Sequence, residues 1–60
     1  MKQEFFNELV SELNRFKAVF VPKVVIPYFV NDCQKYGIII NGGAFKFNDN
    51  GEFVGQYFYN

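Results

Sequence analysis

Apolar residues recur at intervals of three and four in the first quarter of the chain. The positions are Phe5, Phe6, Leu9, Val10, Leu13 and Phe16. This spacing places all of them on one stripe of an α-helix. Acidic residues lie towards the N-terminal end of the segment and Arg15 and Lys17 towards its C-terminal end, an order that suits the helix dipole. The pattern therefore predicts a helix over residues 2–17.

Residues 18–26 are apolar and rich in β-branched side chains, but Pro22 interrupts them and Pro27 follows. Each proline disfavours helical backbone at the residue before it. An extended connector or a short edge strand fits this segment best. A continuation of the first helix is the alternative.

A second, shorter helix is predicted over residues 27–36. Pro27 suits the first helical position, where its missing N–H has no intrahelical partner to lose. Apolar spacing of three and four follows, and Gly37 favours the left-handed conformation that ends helices. The spaced positions are Phe29, Val30, Cys33 and Tyr36.

The last third of the chain alternates in the manner of β-strands and contains a strong turn signal. Ile38–Ile40 and 44–47 precede the turn Asn48–Gly51, and 52–59 follow it. An Asn-Asp-Asn-Gly turn with glycine in the left-handed position closes a hairpin. The predicted register puts Phe47 opposite Phe53, Phe45 opposite Gly55, and Gly43 opposite Tyr57. A three-stranded meander with a second turn at Asn41-Gly42 is the alternative.

In this register an aromatic ring twice faces a glycine, which leaves room for the ring to lie across bare backbone. We expect the helices to cover this odd-numbered face of the hairpin. The even-numbered face is mixed, with Ile38, Ile40, Ala44, Lys46, Val54, Gln56 and Phe58. The predicted fold class is α+β: a long N-terminal helix, a short second helix and a C-terminal antiparallel hairpin. A lone hairpin needs further cover, so we expect homodimerisation to complete the domain.

Composition indicates one small folded domain spanning residues 1–60. Half of the residues are hydrophobic and 22% are aromatic, while six basic and six acidic residues cancel. Disordered chains have few aromatic residues and a large net charge. A chain of this length buries only about 60% of the surface that its unfolded form exposes. Zero net charge gives no strong field for nucleic acid or acidic lipid.

Cellular location is predicted from the single cysteine and the absence of targeting signals. One cysteine forms no internal disulfide, which favours a reducing compartment. Residues 1–4 lack the layout of a secretory signal, and charged residues interrupt every apolar run before it reaches membrane-spanning length. We therefore expect a cytoplasmic protein without a membrane association, in the host cytoplasm if a phage encodes it.

Candidate catalytic and metal-binding groups are few. The chain has no histidine, and nothing basic adjoins Cys33, which is predicted to be a small buried apolar side chain. Glu4, Glu8 and Glu12 share one helix face, but such a row is typically solvated rather than a cation site. The segment 48–52 is interpreted as a turn and not a calcium loop. We predict a protein that is not an enzyme and that needs no metal or cofactor.

Surface for a partner remains the main functional feature. Nine Phe and four Tyr give more rings than a core of this size hides. Interface residues, for self-association or a partner, are predicted at Ile38, Ile40, Val54, Gln56, Phe58, Tyr59 and Phe20. Size and composition are typical of the small inhibitors that phages and plasmids encode. Such an inhibitor would block a host enzyme or defence complex by steric occupation.

Two other functions compete with this hypothesis. The hairpin combines rings with Lys46, as single-strand binding proteins do, so a nucleic-acid-binding accessory protein is one alternative. A small structural or assembly subunit is the other. A larger protein target is expected in the leading hypothesis.

Overall fold

The computed structural model describes all 60 residues and consists of two helices and one antiparallel sheet. The elements are α1 (Gln3–Phe16), β1 (Ala18–Pro22), α2 (Ile26–Lys35), β2 (Asn41–Phe47) and β3 (Phe53–Tyr59). The strands are ordered β1-β3-β2, so β3 is central. The α+β class is confirmed, and both predicted helices form with ends shifted by one residue.

The chain reverses from α1 into β1 at a single residue. Lys17 adopts the left-handed conformation, with φ 65° and ψ 6°, and β1 begins at the next residue. The backbone oxygen of Lys17 accepts a hydrogen bond from the N–H of Asn60 at 3.1 Å. This bond ties the reversal to the end of β3 and holds β1 beside it.

Residues 18–22 form a short edge strand, the first of the interpretations that the sequence allows. Val19 pairs with Phe58 and Val21 pairs with Gln56. The chain then turns through residues 23–25, where the N–H of Val25 donates to the Pro22 oxygen at 2.9 Å. The alternative of a continued helix is wrong, because the reversal at Lys17 directs this segment into the sheet.

The end of α2 explains why Ile38–Ile40 are not a strand, contrary to the prediction. Gly37 is left-handed with φ 72°. Its N–H donates to the oxygen of Gln34 at 3.2 Å, and the N–H of Ile38 donates to the oxygen of Cys33 at 2.8 Å. Together these bonds form a Schellman cap. The cap uses the Ile38 N–H, and β2 begins at Asn41.

The hairpin closes at the predicted turn. The side-chain oxygen of Asn48 accepts hydrogen bonds from the N–H groups of Asn50 and Glu52, both at 2.9 Å. Gly51 is left-handed with φ 78°. The alternative meander is wrong, because Asn41 and Gly42 lie within β2 and form no turn.

The predicted register is correct next to the turn and wrong beyond it. Phe47 pairs with Phe53 as predicted, but Phe45 pairs with Gln56 and not with Gly55. Two irregularities shift the pairing, one between Gly42 and Phe45 and one between Lys46 and Phe47. Gly43 falls inside the first irregularity and is not one of the paired positions. A turn sets the register only as far as the first bulge.

The helices cover the face of the sheet that carries Phe58, and not that of Tyr57 as predicted. Eight buried apolar residues form the core: Phe6, Leu9, Leu13, Val19, Val21, Phe29, Cys33 and Phe58. The Phe29 ring lies 6.1 Å from that of Phe6 and 5.6 Å from that of Phe58. Pairing with β1 places two valines beside Phe58, and this apolar face receives α1 and α2. The predicted odd-numbered face is therefore divided: Tyr57 lies on the uncovered face, whereas the irregularity between Lys46 and Phe47 brings Phe45 and Phe47 to the face of Phe58.

Candidate interaction surface

The face of the sheet that points away from the helices carries aromatic rings. In β1, Phe20 alternates with the buried Val19 and Val21, so its side chain points to the other face. Phe20 pairs with Tyr57, and their rings lie 5.5 Å apart at 63°. Tyr59 follows two residues later in β3, on the same face. The centre of this face is therefore aromatic.

Two glycines support rings on this face. A Cβ atom on Gly55 would collide with the ring of Phe20 and would lie 2.6 Å from the backbone oxygen of Val21. A Cβ atom on Gly43 would collide with the ring of Tyr59. Rings do lie across these two glycines, as predicted, but they are different rings. Phe20 lies on Gly55 in place of Phe45, and Tyr59 lies on Gly43 in place of Tyr57.

A second group of rings surrounds Phe53 at the turn end of the hairpin. The Phe53 ring lies 5.7 Å from that of Phe45 and 5.9 Å from that of Phe47. Phe45 is 60% exposed and Phe47 is 58% exposed, although both are fully apolar side chains. The two groups lie on opposite faces of the sheet, because Phe45 pairs with Gln56, which shares its face with Val21 and Phe58. We call the rings of the three strands outside the core, on both faces, the aromatic surface: Phe20, Phe45, Phe47, Phe53, Tyr57 and Tyr59.

The strands that carry the aromatic surface contain a single formal charge. Lys46, between Phe45 and Phe47, is the one charged residue in the three strands. Burying this surface against a partner therefore removes few ions from water. The tyrosine hydroxyls supply hydrogen-bonding groups at little cost in side-chain entropy.

The structure separates the seven predicted interface residues. Phe20 and Tyr59 lie on the aromatic surface. Phe58 is 6% exposed and belongs to the core, so it offers no open surface. The others lie elsewhere: Val54 is partly exposed, Gln56 donates from Nε2 to the Gly43 oxygen at 3.5 Å, and Ile38 and Ile40 pack against the core.

Sequence reasoning placed Phe45, Phe47, Phe53 and Tyr57 together on the face that the helices were expected to cover, but Tyr57 lies on the opposite face from the helices. The signal that places Tyr57 there is the alternation Ala-Val-Phe-Val-Pro in β1. Its two valines need a core, and its antiparallel pairing with β3 aligns them with Phe58. Phe20 is then left to face outward together with Tyr57.

A groove of about 710 Å³ runs beside α1 and is lined mainly by polar residues. The hydroxyl of Tyr36 donates to the Gln3 side-chain oxygen at 3.4 Å, and the Gln3 amide donates to Asn7 at 3.0 Å. These side chains thus already bond to one another across the rim. Sequence reasoning missed this groove because it depends on how the 36–38 segment crosses α1.

The remaining candidate chemical groups are the Cys33 thiol and the three glutamates of α1. Cys33 is fully buried, as predicted, and burial raises the pKa of its thiol, with a further rise from the neighbouring Asp32 carboxylate. Glu4, Glu8 and Glu12 are exposed along α1. No group of three or more His, Cys, Asp or Glu side chains gathers in a metal-binding arrangement.

No family model matches the chain, and searches of curated proteins and of solved structures find no similar protein. Neither helix has the length and apolar character needed to cross a membrane. A functional argument therefore starts from the aromatic surface itself.

Proposed function

We propose that this chain is a non-enzymatic protein-interaction module that binds a larger protein through its aromatic surface. The observation that carries the proposal is the set of rings in the sheet that lie outside the core, of which Phe45 and Phe47 are more than half exposed. Aromatic residues are the side chains that most often anchor protein interfaces. Contiguous exposed apolar patches are uncommon on proteins without a partner.

The ring positions favour binding because they are fixed before a partner arrives. Phe20 packs on the backbone of Gly55, and Tyr59 packs on that of Gly43. The Phe20 ring also makes an edge contact with Tyr57. Rings held in this way lose little conformational entropy on binding, which strengthens association.

The proposed mode of action is steric occupation, as for a small phage- or plasmid-type inhibitor of a host enzyme or defence complex. Three strands of up to seven residues present a face of about 14 Å by 23 Å, enough to cover the mouth of an active-site cleft. The whole molecule measures 35 × 21 × 16 Å, so most of its bulk would stand over the blocked site. The single buried thiol suits the reducing host cytoplasm, where we place the protein.

Homodimerisation is part of the proposal. Twelve large hydrophobic side chains are exposed, including several outside the aromatic surface. That amount of apolar surface exceeds what one target-binding face uses. A second copy of the chain is the simplest partner that would bury the remaining apolar surface.

Single-stranded nucleic acid is the second candidate ligand. Phe20 and Tyr57, with Lys46 opposite Gly55 on the same face, resemble the stacking platforms of single-strand binders. The zero net charge of the chain argues against this candidate, because nucleic-acid affinity depends mainly on cationic contacts to phosphates. We therefore rank a protein target first.

The test compares three serine variants at positions of nearly equal exposure. Phe45→Ser and Phe47→Ser alter the aromatic surface, while Phe16→Ser alters the end of α1, where the ring is 61% exposed. A protein captured from host extract would be purified and its affinity measured by calorimetry. Each surface variant should weaken binding about tenfold, equivalent to about 1.4 kcal/mol, and Phe16→Ser should not.

A parallel titration with a labelled oligo-dT strand separates the two candidates. Salt-sensitive binding of that strand, lost in Lys46→Glu, would establish the nucleic-acid function instead. Equal binding of a purified protein target by all three serine variants would show that the aromatic surface is not the docking face.

A further inference from the structure

Two asparagines of the chain are followed directly by glycine, Asn41 and Asn50. Asparagine in this position is prone to deamidation, because glycine has no side chain to hinder the approach of its backbone nitrogen to the preceding carboxamide carbon. Asn41 is the first residue of β2, whereas Asn50 lies in the turn between β2 and β3. The structure gives these two asparagines different surroundings.

The carboxamide of Asn50 is exposed and unrestrained. The side-chain hydrogen bonds of this turn belong to Asn48, whose Oδ1 accepts from the N–H groups of Asn50 and Glu52 and whose Nδ2 donates to Glu52 Oε1 at 3.1 Å. The Asn50 carboxamide takes part in none of them. A Cβ atom on Gly51 would meet nothing within 4 Å, so there is open space for water beside the 50–51 peptide bond.

The restraint at this site is the hydrogen bond from the Gly51 N–H to the Asn48 oxygen, at 2.9 Å. The nitrogen reacts only after this bond opens, and opening an exposed turn needs no more than a local fluctuation.

Asn41 is held more firmly, because it and the following glycine are both paired with the central strand. Asn41 pairs with Tyr59 and Gly42 pairs with Phe58. A Cβ atom on Gly42 would also lie only 2.9 Å from Gln56 Nε2, so the space beside this peptide bond is occupied. The reaction at Asn41 therefore requires the strand pairing to open.

We infer that Asn50 is a site of spontaneous modification, at which the folded protein deamidates to aspartate and isoaspartate. The Gly51 nitrogen loses its proton to base and bonds to the Asn50 Cγ, while the bond from Cγ to Nδ2 breaks and the amide nitrogen leaves as ammonia. The cyclic succinimide then takes up water. Opening at the side-chain carbonyl gives aspartate, and opening at the main-chain carbonyl gives isoaspartate, so water is consumed, ammonia is released and nothing is oxidised.

Isoaspartate lengthens the turn, because the main chain then runs through the former side-chain carbons and gains a backbone atom between residues 50 and 51. Asn48 Oδ1 holds the N–H groups of Asn50 and Glu52, which lie on either side of this link. The longer link separates them, so Asn48 loses one of the two bonds. Phe47 pairs with Phe53 beside the turn, with their rings 5.9 Å apart, and this contact should loosen. The modification itself does not rest on the proposed function, although its effect on target binding does.

The experiment is peptide mapping by mass spectrometry after incubation of the full chain at mildly alkaline pH, both folded and unfolded in guanidinium chloride. Electron-transfer fragmentation distinguishes aspartate from isoaspartate at each position. In the unfolded chain the two asparagines should react at similar rates. In the folded protein Asn50 should react at least about tenfold faster than Asn41, because a paired strand opens less often than an exposed turn.

Matched variants assign the product. Asn50→Gln should remove it, because the longer side chain closes its ring much more slowly. Asn41→Gln should leave the reaction at Asn50 unchanged. The product also carries a net charge of −1, since six basic side chains then face seven acidic ones, so ion exchange purifies it. The isoaspartate form should melt at a lower temperature than Asn50→Asp, which adds the same charge without lengthening the backbone.

A folded protein that forms no isoaspartate at position 50, while the unfolded chain does, would overturn the inference, since the turn would then protect the site. Equal rates at Asn41 and Asn50 in the folded protein would overturn it as well. Aspartate without isoaspartate would exclude the cyclic intermediate. Equal melting temperatures of the isoaspartate form and Asn50→Asp would contradict the loss of the Asn48 bond. None of these measurements involves a target protein, so their failure is distinct from failure of the proposed function.

Discussion

The ring of Phe20 lies directly on the backbone of Gly55 in the neighbouring strand, on the face of the sheet opposite the helices. No other residue at position 55 leaves space for it, because a Cβ atom would meet both the ring and the backbone oxygen of Val21. The glycine thus allows β1 to stay paired with β3 while Phe20, the only aromatic residue of β1, lies against the sheet. This contact joins the aromatic surface to the pairing that builds the core on the other face.

Gly55→Ala should therefore destabilise the fold by about 1–3 kcal/mol, the usual cost of forcing an extra carbon into a packed site. The free energy of unfolding in urea measures the effect. Gly43→Ala is the matched control, since its added carbon would meet only the side chain of Tyr59. Adding Tyr59→Ala should restore stability to Gly43→Ala. Adding Phe20→Ala to Gly55→Ala should restore less, because the clash with the Val21 oxygen remains. Full rescue in both double variants would contradict this account of Gly55.

Lys17→Gly should stabilise the protein by about 1 kcal/mol. Lys17 holds a left-handed conformation with φ 65°, which costs a residue with a Cβ atom about 1–2 kcal/mol and glycine almost nothing. The midpoint of thermal or urea unfolding measures the change. Lys35→Gly is the control, because Lys35 is helical and glycine there should destabilise by roughly 0.5–1 kcal/mol. Equal losses in the two variants would show that the strain at Lys17 is negligible.

The predictions that succeeded depend on short-range rules. Gly37 ends α2, and Asn48 with Gly51 closes the hairpin, because each position needs a conformation or side chain that only a few residues provide. The spacing that predicts α1 also identifies three of its residues as core: Phe6, Leu9 and Leu13. Cys33 lies in the core for the same reason.

The predictions that failed depend on pairing between distant parts of the chain. Whether the helices cover the face of Phe58 or that of Tyr57 is decided by β1, which lies more than thirty residues away in sequence. Its β-branched residues fit a connector or a strand equally well in isolation. The irregularity between Lys46 and Phe47 is likewise invisible in the sequence, and it moves Phe45 from Gly55 to Gln56. Without the β1–β3 pairing and the irregularity in the β2–β3 pairing, the sequence does not show which rings lie on the face that the helices leave uncovered.

Phe58→Lys should abolish folding and not merely alter association. Phe58 is 6% exposed and packs on the ring of Phe29 in the core. An unpaired charge there costs several kcal/mol, a large share of the 5–15 kcal/mol that typically stabilises a domain. Circular dichroism and the dispersion of amide resonances measure the loss of structure. Phe47→Lys, at an exposed ring, should remain folded. A cooperative, native-like melt of Phe58→Lys would contradict the burial of this ring.

Alkaline pH should destabilise the protein through Cys33. Burial, together with the Asp32 carboxylate, raises the thiol pKa above its ordinary value of 9.0. In the unfolded chain the thiol ionises near 9, whereas in the folded protein it stays neutral, so the unfolded state binds fewer protons above that pH. The free energy of unfolding should thus be unaffected by this group below pH 9, and should fall as the pH rises from there towards the folded pKa. Urea unfolding at a series of pH values, compared between the wild type and Cys33→Ala, isolates this contribution from those of lysine and tyrosine. The difference in stability between the two proteins should narrow above pH 9, and a constant difference across that range would show that the thiol ionises as readily in the core as in water.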